Sequence, residues 1–196
     1  MSETMLSAAI SDRECIERLQ QGETGAFEIL VRRHQKTIFN LVYRLLGDYD
    51  EAAEIAQEAF LSAYKSVAQF RGDANFSTWL YRIAINHAST RRKNLVSAQQ
   101  RNVPLETTDP IDERRPDPAD SLERKEIQER VQKALNTLEP NDAAIILLRD
   151  MQDMPYDEVA RMLELPVGTV KSRLYRARQA LKSRLAPYFY AGRNGK

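Results

Sequence analysis

Cysteine and histidine are nearly absent from this chain, with one Cys and two His in 196 residues. Cys15 alone excludes an intramolecular disulfide and is compatible with a reducing compartment. With only His34 and His87 beside it, and no Gly-rich phosphate loop, the chain offers no triad-like grouping, and no enzyme activity, metal or cofactor is expected. The start, MSETMLSAAI, lacks the basic residues and long apolar run of a signal peptide. No stretch approaches the apolar length of a membrane span. A cytoplasmic protein without membrane insertion is the expectation.

Local absences say more. No acid occurs from Leu165 to Lys196, where Lys171, Arg173, Arg176, Arg178, Lys182, Arg184, Arg193 and Lys196 are all basic. No cation occurs from Asp48 to Ala59, which carries Asp48, Asp50, Glu51, Glu54 and Glu58. Between Asp73 and Glu106 acids are again missing. The formal net charge of +1 therefore averages over segregated segments. A basic end and an acidic helix point to two kinds of partner, one polyanionic and one protein. Hydrophobic content of 42% and charged content of 29% are ordinary for a folded soluble protein, and the length leaves room for one large or two small domains.

Every periodic stretch has helical spacing, so the expected class is all-α. Ser11-Asp12-Arg13-Glu14 is a capping-box pattern opening a short helix that ends near Gly22. Thr24 is placed to cap a longer one, with Phe27, Leu30, Val31, Ile38, Leu41, Val42 and Leu45 on its apolar face and Gly47 at its C-cap. His34 within it reads as a packing residue. Asp50 is placed to cap EAAEIAQEAFLSAYKSV, whose apolar stripe is Ala52, Ile55, Ala59, Ala63 and Val67, joined by Phe60 and Tyr64. Glu54, Gln57, Glu58 and Leu61 lie at i, i+3, i+4 and i+7 and share a different face. Taken alone, that face is a solvated acidic surface. Carboxylates at i, i+4 can also hold a metal, but no His stands at the i+3 position that di-iron helices use.

Phe70 to Lys93 is the densest mixture in the chain. Phe70, Phe76, Trp79 and Tyr81 stand beside Arg71, Arg82, Arg91, Arg92 and Lys93. Aromatic faces stack on unpaired bases and cations follow a phosphate backbone, which suits single-stranded nucleic acid. An amphipathic helix with core aromatics and a solvated basic end is the plainer account. Arg71 to Asn75 is a loop by its turn residues, and Ser77 or Thr78 can cap the helix after it. In that helix Trp79, Leu80, Ile83 and His87 form the expected buried side. Arg82, Asn86, Ser89 and Lys93 form a polar ridge able to reach bases or phosphates.

From Asn94 to Asp120 periodicity is lost, and Pro104, Pro110, Pro116 and Pro118 supply four of the eight prolines. A flexible linker between two domains is expected there. Helix resumes at Asp120-Ser121-Leu122-Glu123, with Ile127, Val131, Leu135 and Leu138 as its stripe. Pro140 suits a first helical position. The last stretch is the sharpest. Tyr156, Val159, Ala160 and Leu163 mark a short helix, and Leu165-Pro166-Val167-Gly168 breaks it. Thr169 is placed to cap the next, with Val170, Leu174, Ala177, Leu181 and Leu185 as a seam. Ser172, Tyr175, Arg176 and Gln179 point away from that seam, flanked by Lys171 and Arg173. This is a helix-turn-helix pattern, and its charge favours DNA over a plain helical hairpin.

Three segments, EAAEIAQEAFLSAY, FRGDANFSTWLYRIAINHA and YDEVARMLELPVGTVKSRLYRARQAL, in this order and with a variable linker before the last, resemble the extracytoplasmic-function group of RNA polymerase sigma factors, in the sigma-70 family. The resemblance covers roughly Ser11 to Leu185. It implies two helical domains, region 2 over residues 11–94 and region 4 over 121–187, joined by a flexible linker over 95–120. It implies a transcription initiation factor that binds the beta-prime and beta subunits of core polymerase and directs it to promoter DNA. Glu54, Gln57, Glu58 and Leu61 match the polymerase surface. Phe70, Arg71, Asn75, Phe76 and Trp79 match the loop that captures a flipped base of the downstream element, followed by Arg82 and Asn86 on the recognition helix. Thr169, Lys171, Ser172, Arg173, Tyr175 and Arg176 match the helix entering the major groove at the upstream element. An anti-sigma protein, often membrane-bound, is an implied partner. Pro155 departs from the family pattern, standing where a capping residue is common before the Tyr that opens the motif.

Two other readings compete. A helix-turn-helix regulator that is no polymerase subunit explains the C-terminal half but not the Trp79 stretch or the acidic helix. A carboxylate-only metal nuclease built on Glu54 and Glu58 needs a further acid nearby in space.

Overall fold

The computed structural model describes the backbone of residues 10–101 and 118–191, with side chains for 10–97 and 126–188. Among the described residues it is all helix: α1 (Asp12–Gln20), α2 (Ala26–Leu46), α3 (Tyr49–Ser66), a 3-10 turn (Val67–Gln69), α4 (Phe76–Arg101), α5 (Pro118–Asn136), α6 (Pro140–Ile146), a π turn (Leu147–Met151), α7 (Tyr156–Met162) and α8 (Val167–Ala191). The all-α expectation holds. Two compact units form, one of residues 10–43 and 50–88, the other of 44–49, 89–101 and 118–191.

In the first unit, α1 starts as the capping pattern requires, with the Ser11 hydroxyl accepting the Glu14 backbone N–H at 3.2 Å. The Glu14 carboxylate does not return to Ser11 and instead holds Arg18 at 2.8 Å. Cys15, Ile16 and Leu19 are its buried face. The chain turns at Gly22, whose φ of +95° lies in the left-handed region that glycine enters without steric cost. In α2, Leu30, Ile38, Leu41 and Val42 are buried. In α3 the buried set is Ala52, Ile55, Ala56, Ala59, Phe60 and Ala63. The Phe27 ring meets Phe60 at 6.4 Å and Tyr64 at 5.0 Å, both edge-on. Helix α3 begins at Tyr49, so Asp50 lies in its first turn instead of capping it. There its charge still favours the helix N-terminus.

Helix α4 differs from expectation in three ways. It begins at Phe76, with the Asn75 carbonyl accepting the Trp79 N–H at 3.1 Å, so Ser77 and Thr78 lie in the first turn and do not cap it. Its buried face is Phe76, Leu80, Tyr81, Ala84, Ile85 and Ala88, whereas Trp79, Ile83 and His87 are only half-buried. Ala84 and Ala88 let neighbours approach closely, while an indole is too large to enclose fully. Finally, α4 runs past Asn94 to Arg101, because NLVSAQQR contains no proline or glycine to stop it. Helix α5 then starts at Pro118, in a first-turn position that proline tolerates. The stretch expected as linker is thus helical at both margins, and 102–117, with Pro104, Pro110 and Pro116, lies outside the described residues.

In the second unit the expected α5 stripe holds only at its end. Leu135 and Leu138 are buried, but Ile127 is 43% exposed. Pro140 opens α6 as predicted, and Ala143 through Leu148 fill the core. Helix α7 starts without a side-chain cap, since Pro155 has none to give; its carbonyl accepts the Glu158 and Val159 N–H groups at 3.1 and 3.0 Å. The turn of the motif falls earlier than the glycine implied. Glu164 takes the left-handed conformation, φ +55°, and α8 begins at Val167 with the Val170 N–H on the Pro166 carbonyl at 3.1 Å. Gly168 and Thr169 therefore sit inside the first turn, and Thr169 is not the cap. Val170, Leu174 and Ala177 are the buried part of the seam, with Leu181 and Leu185 half-buried.

Candidate nucleic-acid interface

The loop between Phe70 and α4 is exposed from end to end. Arg71, Gly72, Asp73, Ala74 and Asn75 are all exposed, and Gly72 has φ +76°. Under it stands a three-ring cluster. Phe70 and Trp79 are 5.1 Å apart, Phe70 and Phe76 6.2 Å, and Phe76 and Trp79 5.8 Å, none of them face to face. Phe76 is only 3% exposed, so it is the floor of the loop and offers no face to a base. Phe70 and Trp79 are half-buried. Arg82 and Asn86 lie exposed one and two turns further along α4, followed by exposed Lys93. Ser89, expected on the same ridge, turns its hydroxyl inward.

Arg92 is also diverted from the basic end of α4. In the second unit its guanidinium donates to the carbonyls of Asn136, the last residue of α5, and, at 2.7 Å, of Leu138 just beyond it. Burial pulls its pKa below the ordinary arginine value, with Glu139 opposing the shift.

On α3, Glu54, Gln57 and Leu61 are exposed, with Leu61 at 51%. Glu58 differs. Its carboxylate lies 3.3 Å from His87 Nδ1, while His87 Nε2 is 3.0 Å from the Ser62 hydroxyl. His87 thus bridges to α3, a contact invisible at the i+3 spacing considered for a metal. Among the described residues no group of three His, Cys, Asp or Glu side chains is close enough to hold a metal ion.

In the second unit the outward face of α8 is narrower than the six residues proposed from sequence. Lys171, Ser172, Tyr175 and Arg176 are exposed, Tyr175 at 66%. Ser172 spends its hydroxyl on the Thr169 carbonyl at 3.0 Å. Arg173 is half-buried and turned to Asp142, 3.6 Å away. Arg178 pairs with Asp150, and this hydrogen-bonded carboxylate raises its pKa. Lys171 Nζ and the Arg149 guanidinium lie 5.5 and 5.2 Å from the centre of the Tyr156 ring. Tyr156 thus gathers cations near the start of α8.

His34 packs as expected, but its partners, and several other contributors, escaped sequence reasoning. His34 Nε2 bonds Asp12 at 2.7 Å, and its ring packs 5.5 Å from Phe76. Gln20 reaches the carbonyls of Val67 and Phe70. Asp142, Asp150 and Tyr156 set which cations of α8 face outward. No local signal marks any of these, since each acts on a partner at least fifteen residues away.

Comparison with known proteins shows the family. The family model described as Sigma-70 region 2 matches residues 30–95, and that described as Sigma-70, region 4 matches residues 128–181. The RNA polymerase sigma-H factor of Pseudomonas aeruginosa is 36% identical over 185 residues, covering 90% of this chain and 94% of that one. The ECF RNA polymerase sigma-E factor of Escherichia coli is 34% identical over 192 residues, covering 93% and 98%. Among solved structures, CnrH in complex with the cytosolic domain of CnrY matches with a TM-score of 0.66 at 25% identity, over 90% of this chain and 97% of that one. The sigma factor RpoE in complex with the anti-sigma factor NepR from Bartonella quintana matches in fold, with a TM-score of 0.65 at 21% identity over 82% and 96%. A region 2 match over the first half removes the reading of a helix-turn-helix regulator that is no polymerase subunit. The chain belongs to the sigma-70 family as an extracytoplasmic-function sigma factor, a promoter-directing transcription initiation factor.

Proposed function

We propose that this sigma factor divides its work among three surfaces. Glu54, Gln57 and Leu61 on α3 dock the beta-prime subunit of core polymerase, with Glu58 held by His87 at the margin of that face. The Arg71–Asn75 loop, with Phe70 and Trp79 at its base and Arg82 and Asn86 beside it, captures an unpaired base of the downstream element and holds the melted strand. Lys171, Tyr175 and Arg176 read the upstream element in the major groove, with Ser172 and Thr169 supporting the first turn of α8. Arg173 joins them only by leaving Asp142. The observation that carries the reading is the exposed loop over a ring cluster whose floor is 3% exposed. A melted base needs a site that is open above and rigid below.

The protein acts without catalytic chemistry of its own, in the cytoplasm, where polymerase is. No described helix is long and apolar enough to cross a membrane. An anti-sigma protein that covers the polymerase-docking surfaces is the expected inhibitor. CnrH, a solved relative at 25% identity, is itself bound to a protein partner, the cytosolic domain of CnrY, which supports a protein inhibitor of this kind. With a net charge of only +1, tight binding to duplex by the chain alone is not expected, because affinity scales with phosphates neutralised. The test is in vitro transcription with the cognate core polymerase on a genomic fragment library. Discrete starts that require this protein and share a two-part upstream motif support the assignment. A gel shift showing tight, sequence-specific duplex binding without polymerase contradicts it.

A further inference from the structure

We infer that α1 is a brace for the base-capturing loop and that Gln20, at its C-terminal end, is a positioning residue for downstream-element recognition. The inference rests on the assignment of Arg71–Asn75 to that element made above. The Gln20 side-chain amide donates to two carbonyls, Val67 at 3.2 Å and Phe70 at 3.1 Å. The Val67 carbonyl also accepts the Phe70 N–H at 3.1 Å. Gln20 therefore grips the chain where the 3-10 turn ends and Phe70 swings to an extended conformation, φ −70° and ψ 113°, immediately before the loop. The opposite end of α1 acts on the loop's other margin through α2. Asp12 pairs with Arg33 and holds His34, whose ring packs against Phe76, the first residue of α4. One helix of nine residues thus reaches one side of the five-residue loop directly, at Val67 and Phe70, and the other through His34 of α2.

The amide of Gln20 has no evident packing duty. Cys15, Ile16 and Leu19 bury the face of α1 that anchors it, while Gln20 itself is exposed. A fork of two bonds from a single nitrogen fixes the direction of two carbonyls and buries little apolar surface. Its loss is expected to loosen the entry to the loop and leave the fold in place. Helix α1 carries charges of both signs and no aromatic residue, so its sequence alone does not point to promoter recognition.

The test uses the full chain bound to core polymerase. The probe is a fluorescent single strand copied from the downstream element of a start site mapped by transcription, together with the same strand made abasic at each position in turn. The readout is the ratio of affinities, intact over abasic, at the most sensitive position. Gln20→Ala and Gln20→Glu, the latter nearly isosteric but without N–H donors, are expected to cut this ratio about three- to tenfold, the worth of a hydrogen bond or two. Gln20→Lys, which restores donors, is expected to keep it, and core affinity is expected to stay constant in all three. If the wild type discriminates and the Ala and Glu variants discriminate equally well, the brace is overturned and the loop reading stands. If those variants weaken intact and abasic strands alike, Gln20 is a general structural residue and the inference fails. A wild type blind to the abasic site at every position overturns the loop reading and the inference with it.

Discussion

Phe76, 3% exposed, and Tyr175, 66% exposed, belong to the two surfaces proposed to face DNA. The first surface is a loop supported from beneath by Phe70, Phe76 and Trp79, with Gln20 of α1 bonded to the chain at its entry. The second is one face of a single helix, with its polar side chains pointing outward and only Val170, Leu174 and Ala177 fixed in the core. The difference follows from what each surface must hold. A base taken out of the stack has to be received in a preformed site, because the unstacking cost leaves little energy for ordering the receiver. A major groove is already a regular shape that accepts a helix as it is, so exposed side chains on a rigid scaffold suffice. On the proposed assignment, recognition and stability share residues in the first unit and are separable in the second.

That separation can be broken most forcefully at Phe76. Phe76→Ala is expected to cost about 3–5 kcal/mol of unfolding free energy by urea titration, as buried aromatic truncations do, and to abolish downstream recognition with it. Arg176→Ala should do the opposite. Unfolding should move by no more than about 0.5 kcal/mol, as at exposed sites, while upstream-element affinity of the holoenzyme falls by about 1–3 kcal/mol. If both variants lose stability equally, the two surfaces are not built differently.

Smaller effects sharpen the contrast. Glu164 carries the turn of the helix-turn-helix at φ +55°, a conformation that costs a side-chain-bearing residue about 1 kcal/mol or more. Glu164→Gly should therefore stabilise the second unit by up to about 1 kcal/mol with promoter preference unchanged, provided relief of strain exceeds the added freedom of the unfolded chain. In the first unit, burial pushes the Cys15 thiol above its ordinary value of 9.0, with Arg33 partly opposing. A raised folded-state value favours the neutral thiol, so this contribution is complete below pH 9.0 and is lost as pH rises through the raised value. Thermal scans should show Cys15→Ala with a shallower alkaline decline than wild type, and a thiol reagent should label Cys15 only on unfolding. Smallest is Asp150→Ala, which removes the partly exposed pair with Arg178 and is expected to cost less than about 1 kcal/mol in denaturant titration.

Much of the molecule was legible in residue order. The 3.6-residue spacing of Leu30, Ile38 and Val42 or of Val170, Leu174 and Ala177 marks buried helix faces wherever they occur, because only one side of a helix can leave water. Segregated charge marked the acidic face of α3 and the basic helix α8, and the motif order carried the family. Those features are local, so sequence alone determined them. Tertiary structure decided which members of each set are available. Trp79 and Phe76 look alike in sequence, yet one is half-buried and the other sealed, since the depth of a side chain depends on what packs over it. Lys171 and Arg173 are two residues apart on α8, but only Arg173 meets Asp142, a partner thirty-one positions back in the chain. Glu58 shares a face with Glu54 and is nevertheless claimed by His87 of α4. Gln20 is the extreme case, an unremarkable glutamine whose two partners lie 47 and 50 residues away. Periodicity reports which way a side chain leaves its own helix, and only the packed chain determines what it meets there.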